Sequence, residues 1–305
     1  MALIRIRNNN RYIYRVKSKI RRWIYTNPSS LVKYLKLKEM FIKHMTARYD
    51  EEGIFKKVFI ETVSYCNNDC IFCPVSSKAG AREPGNFMSE DLYAKILKEL
   101  KDISFKGSVA FHCNNEPLLD KRLVSWIRRA RSLLKTNYFY LYTNGILMDI
   151  KLANQLFDAG LNRIIIDNYN DEHELIPSVR DIIRGSSLIR GEVIVDYRFK
   201  NDYFGNRAGE SPNAEFLLKK ALKLICVRPL MEIVVGYDGT VPLCCADGLW
   251  RVKMGNAREA NLKDIWFSDE FRSIRSYLLK GDRNCTEICK VCDALHLPSL
   301  KGILV

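Results

Sequence analysis

Apolar and polar positions along the chain change their rhythm twice. In the first 25 residues Ile13, Val16, Ile20, Trp23 and Ile24 recur at the spacing of one helical face, with Arg11, Arg15, Lys19 and Arg22 over much of the remainder. Asn27-Pro28-Ser29 breaks that helix, and Leu31, Tyr34, Leu35 and Phe41 predict another. From residue 57 short apolar runs alternate with amphipathic stretches. Strands are expected at Lys57–Val63, Ser108–Cys113, Tyr138–Thr143, Arg163–Asp167 and Glu192–Arg198. Helices are expected at Ser89–Lys101, with Ser89 as N-cap, and at Lys121–Leu134 and Asp149–Ala159. Such alternation requires right-handed crossovers and a mainly parallel sheet. Ligands then sit at the carboxyl ends of the strands, so residues just after each strand carry the information. Beyond residue 215, Glu232–Val235, the Asp238-Gly239 turn and Val241–Leu243 predict a β-hairpin. A helix over Leu262–Leu279, ended by Gly281, and a cysteine-rich loop complete the chain.

Charge refines this picture. Residues 1–50 hold 13 Lys and Arg against Glu39 and Asp50, so most of the net charge of +14 lies there. The body is nearly balanced, which argues against a nucleic-acid binder. The basic amphipathic segment suits an anionic membrane surface or an acidic partner, or it packs on the body through its apolar stripe. No apolar run reaches the roughly 18 residues of a membrane-spanning helix, and the basic start lacks the apolar region of a secretory signal. A cytoplasmic protein, peripheral to the membrane if the basic segment binds lipid, is the expectation. It divides into a basic helical arm (1–52), an α/β body (53–218) and a C-terminal unit (219–305).

Ten cysteines in a reducing compartment point to metal rather than disulfides. Cys66, Cys70 and Cys73, in C-x3-C-x2-C spacing, follow the first strand of the body. Three thiolates are one short of a closed structural zinc site, but they suit a 4Fe–4S cluster with one iron open. Cys226, Cys244, Cys289 and Cys292 form a second set able to hold zinc or another cluster. Cys245 and Cys285 remain, Cys245 as a buried thiol, a ligand or a hydrogen donor, and Cys285 as a substitute for Cys289.

With Phe72 as the aromatic before Cys73, the first set resembles the motif of the radical S-adenosylmethionine (radical SAM) superfamily. Asn114-Asn115-Glu116-Pro117-Leu118 resembles the family's G-G-E-P-L segment, with asparagines for both glycines, and Thr143-Asn144-Gly145 its T-N-G. The resemblance implies a partial (β/α)6 TIM-like barrel. It also implies S-adenosyl-L-methionine as cofactor, whose reductive cleavage yields a hydrogen-abstracting 5′-deoxyadenosyl radical. Glu116 would then meet the ammonium of the methionine moiety, and Thr143, Asn144, Asp167, Asn168 and Arg198 would line the cofactor site. The second set resembles the twitch domain, the shortened SPASM extension, in which four cysteines hold one auxiliary 4Fe–4S cluster. Asn206-Arg207-Ala208-Gly209 occurs in twitch-domain dehydrogenases of aminocyclitols, where Arg207 would stabilise a developing alkoxide. A structural salt bridge is the competing role.

The expected function is oxidation or epimerisation of a secondary alcohol carbon in a sugar or aminocyclitol, the auxiliary cluster taking an electron or Cys245 giving a hydrogen. A flavodoxin or ferredoxin would supply electrons. Radical modification of a peptide, or a zinc-bound module without catalysis, are the competing functions.

Overall fold

A computed structural model describes residues 3–26, 53–77, 79, 82–202, 204–214, 218 and 220–294. The helix expected around Leu31–Phe41 lies outside these residues. The elements in chain order begin with β1 (Leu3–Arg7), α1 (Arg11–Thr26), β2 (Lys57–Ile60), α2 (Glu90–Asp102) and β3 (Ser108–Ala110). Next come α3 (Leu123–Leu133), β4 (Phe139–Thr143), α4 (Ile150–Asp158), β5 (Arg163–Tyr169), α5 (Pro177–Arg184) and β6 (Glu192–Arg198). The C-terminal part holds α6 (Arg228–Met231), β7 (Glu232–Val235), β8 (Thr240–Pro242), β9 (Lys253–Asn256), α7 (Leu262–Trp266), α8 (Asp269–Leu279) and α9 (Glu287–Val291).

Seven parallel strands form one sheet in the order β1-β6-β5-β4-β3-β2-β7. Strands β2 to β6 are the alternating units the sequence predicts, and they give the partial barrel. Their helices start where side chains can cap them: Ser89 Oγ accepts from Leu92 N, and Asp149 from Leu152 N. Apolar faces of α2 and α3 cover the sheet, with Tyr93 stacked on Trp126 at 4.1 Å between ring centres.

Both edge strands come from places read differently in the sequence. Leu3–Arg7, expected within the helical arm, pairs with β6 over its whole length. Ile4 and Ile6 alternate with Arg5 and Arg7 as on an edge strand, with Ile4 half-buried and Ile6 exposed. Glu232–Val235, expected as half of a hairpin, instead pairs with β2, Lys57 opposite Glu232 through Ile60 opposite Val235. All four of its residues are buried, as a parallel strand covered on both sides requires. The chain does reverse at Gly239, whose φ of 92° needs glycine, but β8 then pairs antiparallel with β9. The single helix expected over Leu262–Leu279 is two, because Ser268 leaves helical geometry to cap α8 through Phe271 N.

Helix α1 packs by one side. Tyr14 is buried against His173 and Phe199, and its hydroxyl donates to Asp202 (2.5 Å). Ile13, Val16, Ile20 and Trp23 of the apolar stripe are exposed, so the stripe does not pack on the body as one of the two expectations held. No helix among the described residues is long and apolar enough to cross a membrane.

Candidate active site

The carboxyl ends of β2 to β5 converge on a small cavity of about 130 Å³. Cys66, Cys70, Phe72 and Cys73 line it from the loop after β2, Glu116 from the loop after β3, Thr143 and Asn144 after β4, and Asp167 on β5. Thus the residues expected near the first cluster and its cofactor, Asn168 and Arg198 excepted, face one space.

The cysteine loop is fixed from several sides. Lys200 pairs with Asp69 (2.7 Å), Ser211 donates to the carbonyl of Phe72 (2.9 Å), and Asn144 Nδ2 reaches Asn67 Oδ1 (2.8 Å) and Cys66 Sγ (3.7 Å). Burial pushes the Cys66 thiol up to about 12, and burial with the neighbouring thiols raises Cys70. Neutral until metal displaces their protons, these thiols make cluster assembly a proton-releasing event.

Glu116 is fully enclosed. Its carboxylate accepts from Thr143 Oγ1 (2.7 Å), Leu118 N (3.0 Å) and Asn144 N (2.8 Å). Burial raises its pKa to about 7, against the pull of those three donors. Glu116 therefore joins the loops after β3 and β4 as well as facing the cavity. Glu116→Ala would orphan three donors and should destabilise the protein by on the order of 3 kcal/mol in denaturant unfolding, Glu116→Gln by less. Equal stability of the Ala variant and the parent would show that these bonds are dispensable.

A larger cavity of about 650 Å³ opens beside the first and shares Phe72, Asp167 and Arg207 with it. Arg198 and Cys245 line this second space. Arg198 is paired with Asp167 (2.7 Å) and Asp196 (3.0 Å), so Asp167 and Arg198 hold each other across adjacent strands. Asn168, expected beside them, turns instead to the main chain of Glu174 and Ile176.

Arg207 and Ala208 both adopt left-handed backbone, φ 46° and 58°, a strained choice for residues with a Cβ. The turn is held there by Asp293, whose carboxylate accepts from Asn206 N, and by Asn206 Nδ2 on Val291 O (2.6 Å). The Arg207 turn is thereby clamped to the segment carrying Cys292. Its guanidinium donates to Asn114 Oδ1, and its buried Nε has no partner. Among the described residues no carboxylate pairs with it, so the structural salt bridge expected as the competing role does not form there. Asn114, where the family pattern has glycine, also donates to Cys245 O (3.1 Å) and Cys113 Sγ (3.4 Å).

His112 was not singled out by sequence. Its Nδ1 accepts from Tyr142 N (3.1 Å), leaving an Nε2–H donor in a ring that lines both cavities. Burial and the charge of Lys57 hold its pKa down near about 3, so it stays neutral and can donate to a hydroxyl. It lies inside the strand expected at Ser108–Cys113, which ends at Ala110 in the structure, so its place in a loop was hidden.

The second cysteine set gathers from the segment before α6, the end of β8 and the α9 loop. Cys244, Cys289 and Cys292 are buried and Cys226 is half-buried. Ala294 N donates to Cys292 Sγ (3.4 Å), and burial raises Cys226, Cys244 and Cys292, the last to about 11. Cys285 bonds to the Cys289 thiol, which raises Cys289. Among the described residues no three of His, Cys, Asp and Glu close tightly enough to share one ion. Four thiolates are a donor set that either zinc or a 4Fe–4S cluster accepts. Buried Asn115 Nδ2, without a partner at the smaller cavity, fits a ligand rich in acceptors such as S-adenosylmethionine.

Comparison with known proteins agrees with this geometry. Residues 60–188 match the radical SAM superfamily and residues 226–293 match SPASM, an iron–sulfur cluster-binding domain. The S-adenosyl-L-methionine-dependent 2-deoxy-scyllo-inosamine dehydrogenase of Niallia circulans is 28% identical over 242 residues, covering 79% of this chain and 94% of that protein. A crystal structure of BtrN in complex with AdoMet and 2-DOIA superposes with a TM-score of 0.69 at 25% identity, over 81% of this chain and 96% of that one. A structure of anSMEcpe with bound AdoMet, TM-score 0.50 and 13% identical over 78% of this chain and 84% of that one, shares the fold alone. Residues 60–188 are thus a radical SAM domain, and residues 226–293 a SPASM-type domain that binds an iron–sulfur cluster.

Proposed function

We propose that this enzyme oxidises a secondary alcohol carbon of a sugar or aminocyclitol to the ketone. The observation that carries this reading is the position of Arg207, which lines both cavities and is clamped to the auxiliary cysteine loop. With its cofactors bound, the site is supplied with a hydrogen-abstracting radical and an electron acceptor. The chain's own residues must then hold the alcohol between the two. Arg207 offers an unpaired Nε–H toward the hydroxyl oxygen and stabilises negative charge there as the proton leaves. It is too weak a base to take that proton itself. His112 offers a second donor, and the rings of Phe59, Tyr140 and Tyr142 give the larger cavity an apolar wall for a sugar face. The similarity to the Niallia circulans dehydrogenase supports the substrate class.

Epimerisation is the second reading, favoured by the Cys245 and Cys113 thiols on the larger cavity. Anaerobically reconstituted enzyme should be incubated with 2-deoxy-scyllo-inosamine and a panel of sugars in deuterated water. A ketone formed with 5′-deoxyadenosine supports oxidation, and an inverted alcohol carrying solvent deuterium supports epimerisation. Cleavage of S-adenosylmethionine with neither product from any alcohol would sink both. The reductant in this reading is a one-electron protein donor of the flavodoxin or ferredoxin type.

We further propose that α1 rests on an anionic membrane surface. Its described outer face combines Ile13, Val16 and Ile20 with Arg11, Arg15, Lys17 and Lys19, and the helix has no acidic residue. Removing residues 1–50 would also remove β1 and leave the edge of β6 unpaired, so point substitutions are the cleaner probe. Ile13→Ser with Ile20→Ser should lower sedimentation with phosphatidylglycerol vesicles by about tenfold or more. Unchanged binding would end this part of the proposal.

A further inference from the structure

Against the chain segments of the auxiliary cysteine set lies a buried positive charge that, among the described residues, pairs with no carboxylate. Arg283 is 2% exposed. Its Nε donates to Leu224 O (2.9 Å), Nη1 to Ala294 O (2.7 Å) and Cys292 O (3.5 Å), and Nη2 to Ile225 O (3.2 Å). All four acceptors are main-chain carbonyls, and among the described residues no acidic side chain pairs with it. Carbonyl dipoles solvate a guanidinium but do not neutralise it, and a buried charge without a counter-charge is costly. The nearby cation Arg228, by contrast, has Glu232 at 3.5 Å.

The carbonyls that hold Arg283 show where its counter-charge belongs. Ile225 precedes Cys226, Cys292 contributes its own carbonyl, and Ala294 is the residue whose N–H meets Cys292 Sγ. The guanidinium therefore bridges the two chain segments that bring in Cys226 and Cys292.

We infer that the auxiliary cluster is the missing counter-ion of Arg283, and that Arg283 both fixes two of its ligand segments and raises its reduction potential. A cluster held by four thiolates gains one more negative charge on reduction, so a fixed cation beside it favours the reduced form. That direction serves the proposed oxidation, on which this inference rests for its purpose. When the alcohol becomes a ketone, one electron must pass from the substrate to the cluster, and a higher potential pulls it across.

The test uses the full-length chain with Cys66, Cys70 and Cys73 all replaced by Ala, so that only the auxiliary cluster is loaded. A potentiometric titration followed by electron paramagnetic resonance then reads its potential without substrate. Arg283→Gln should disfavour reduction by at least tenfold, about 59 mV for a one-electron couple, while Arg283→Lys stays close to its parent. A Gln variant with four irons and an unshifted potential overturns the inference. If the Gln variant does not load, the Lys variant decides: an unshifted potential supports the role of charge, and a tenfold loss despite the retained charge refutes it. Because no alcohol is present, failure of the proposed oxidation would leave this potential untouched, and the two readings fail separately.

Discussion

Alanine at Cys66, Cys70 and Cys73 together should abolish reductive cleavage of S-adenosylmethionine and lower iron from about eight to about four per chain. The three thiols come from one loop after β2 and face one cavity, so the triple substitution removes every thiolate that this loop offers. The second set is built on α6, β8 and α9, which that loop does not form, and its four irons should persist. Iron, sulfide and zinc analysis after anaerobic reconstitution, with quantitation of 5′-deoxyadenosine, checks both halves. Four irons and one zinc in the unaltered protein would remove the electron acceptor that the ketone-forming reaction requires. Attention would then turn to Cys245 as a hydrogen donor.

The second large effect belongs to Arg207. Arg207→Met should cut ketone formation by about 10²–10³-fold, the usual cost of losing one donor aimed at developing negative charge. Cleavage of S-adenosylmethionine should continue, because the residues expected to hold it are untouched. The result is uncoupling, with 5′-deoxyadenosine exceeding ketone. Arg207→Gly separates side chain from backbone, since glycine suits a φ of 46° without strain. If Gly and Met lose ketone formation alike, the guanidinium carries the effect. If Met retains turnover within a few-fold of the parent, Arg207 does not touch the reacting oxygen.

Local chemistry was the most legible part of this sequence. Cys66, Cys70 and Cys73 sit within one loop, so their spacing already states that they face the same point. Thr143 and Asn144 were readable for a similar reason, because parallel strands always present their carboxyl ends to one side. Readings that needed partners distant in sequence fared worse. The EIVV run of β7 is apolar enough for either a hairpin or a buried parallel strand, and only its pairing with β2, far back in the chain, decides. The five residues of β1 are dominated by their arginines when read as charge. The exposed stripe of α1 was visible as a pattern, but which side faces the body depends on Tyr14 and Asp202. His112, Asn114 and Arg283 share this difficulty. Each matters through contacts with main-chain groups or residues brought near by folding, and no motif announces such contacts.

The parallel pairing of β7 with β2 bears on how far this enzyme can be taken apart. The segment that matches the cluster-binding domain, residues 226–293, contains a wall strand of the barrel itself. Cutting the chain at residue 218 would leave the edge of β2 unsatisfied and expose the lumen beside Phe59, so the first half should not survive as a module. Nor can the sheet be completed during synthesis until residue 235 has emerged, and long-range closure of this kind slows folding. Exchange of C-terminal domains between relatives, a common route to new substrates in modular enzymes, would here have to carry a barrel strand with it.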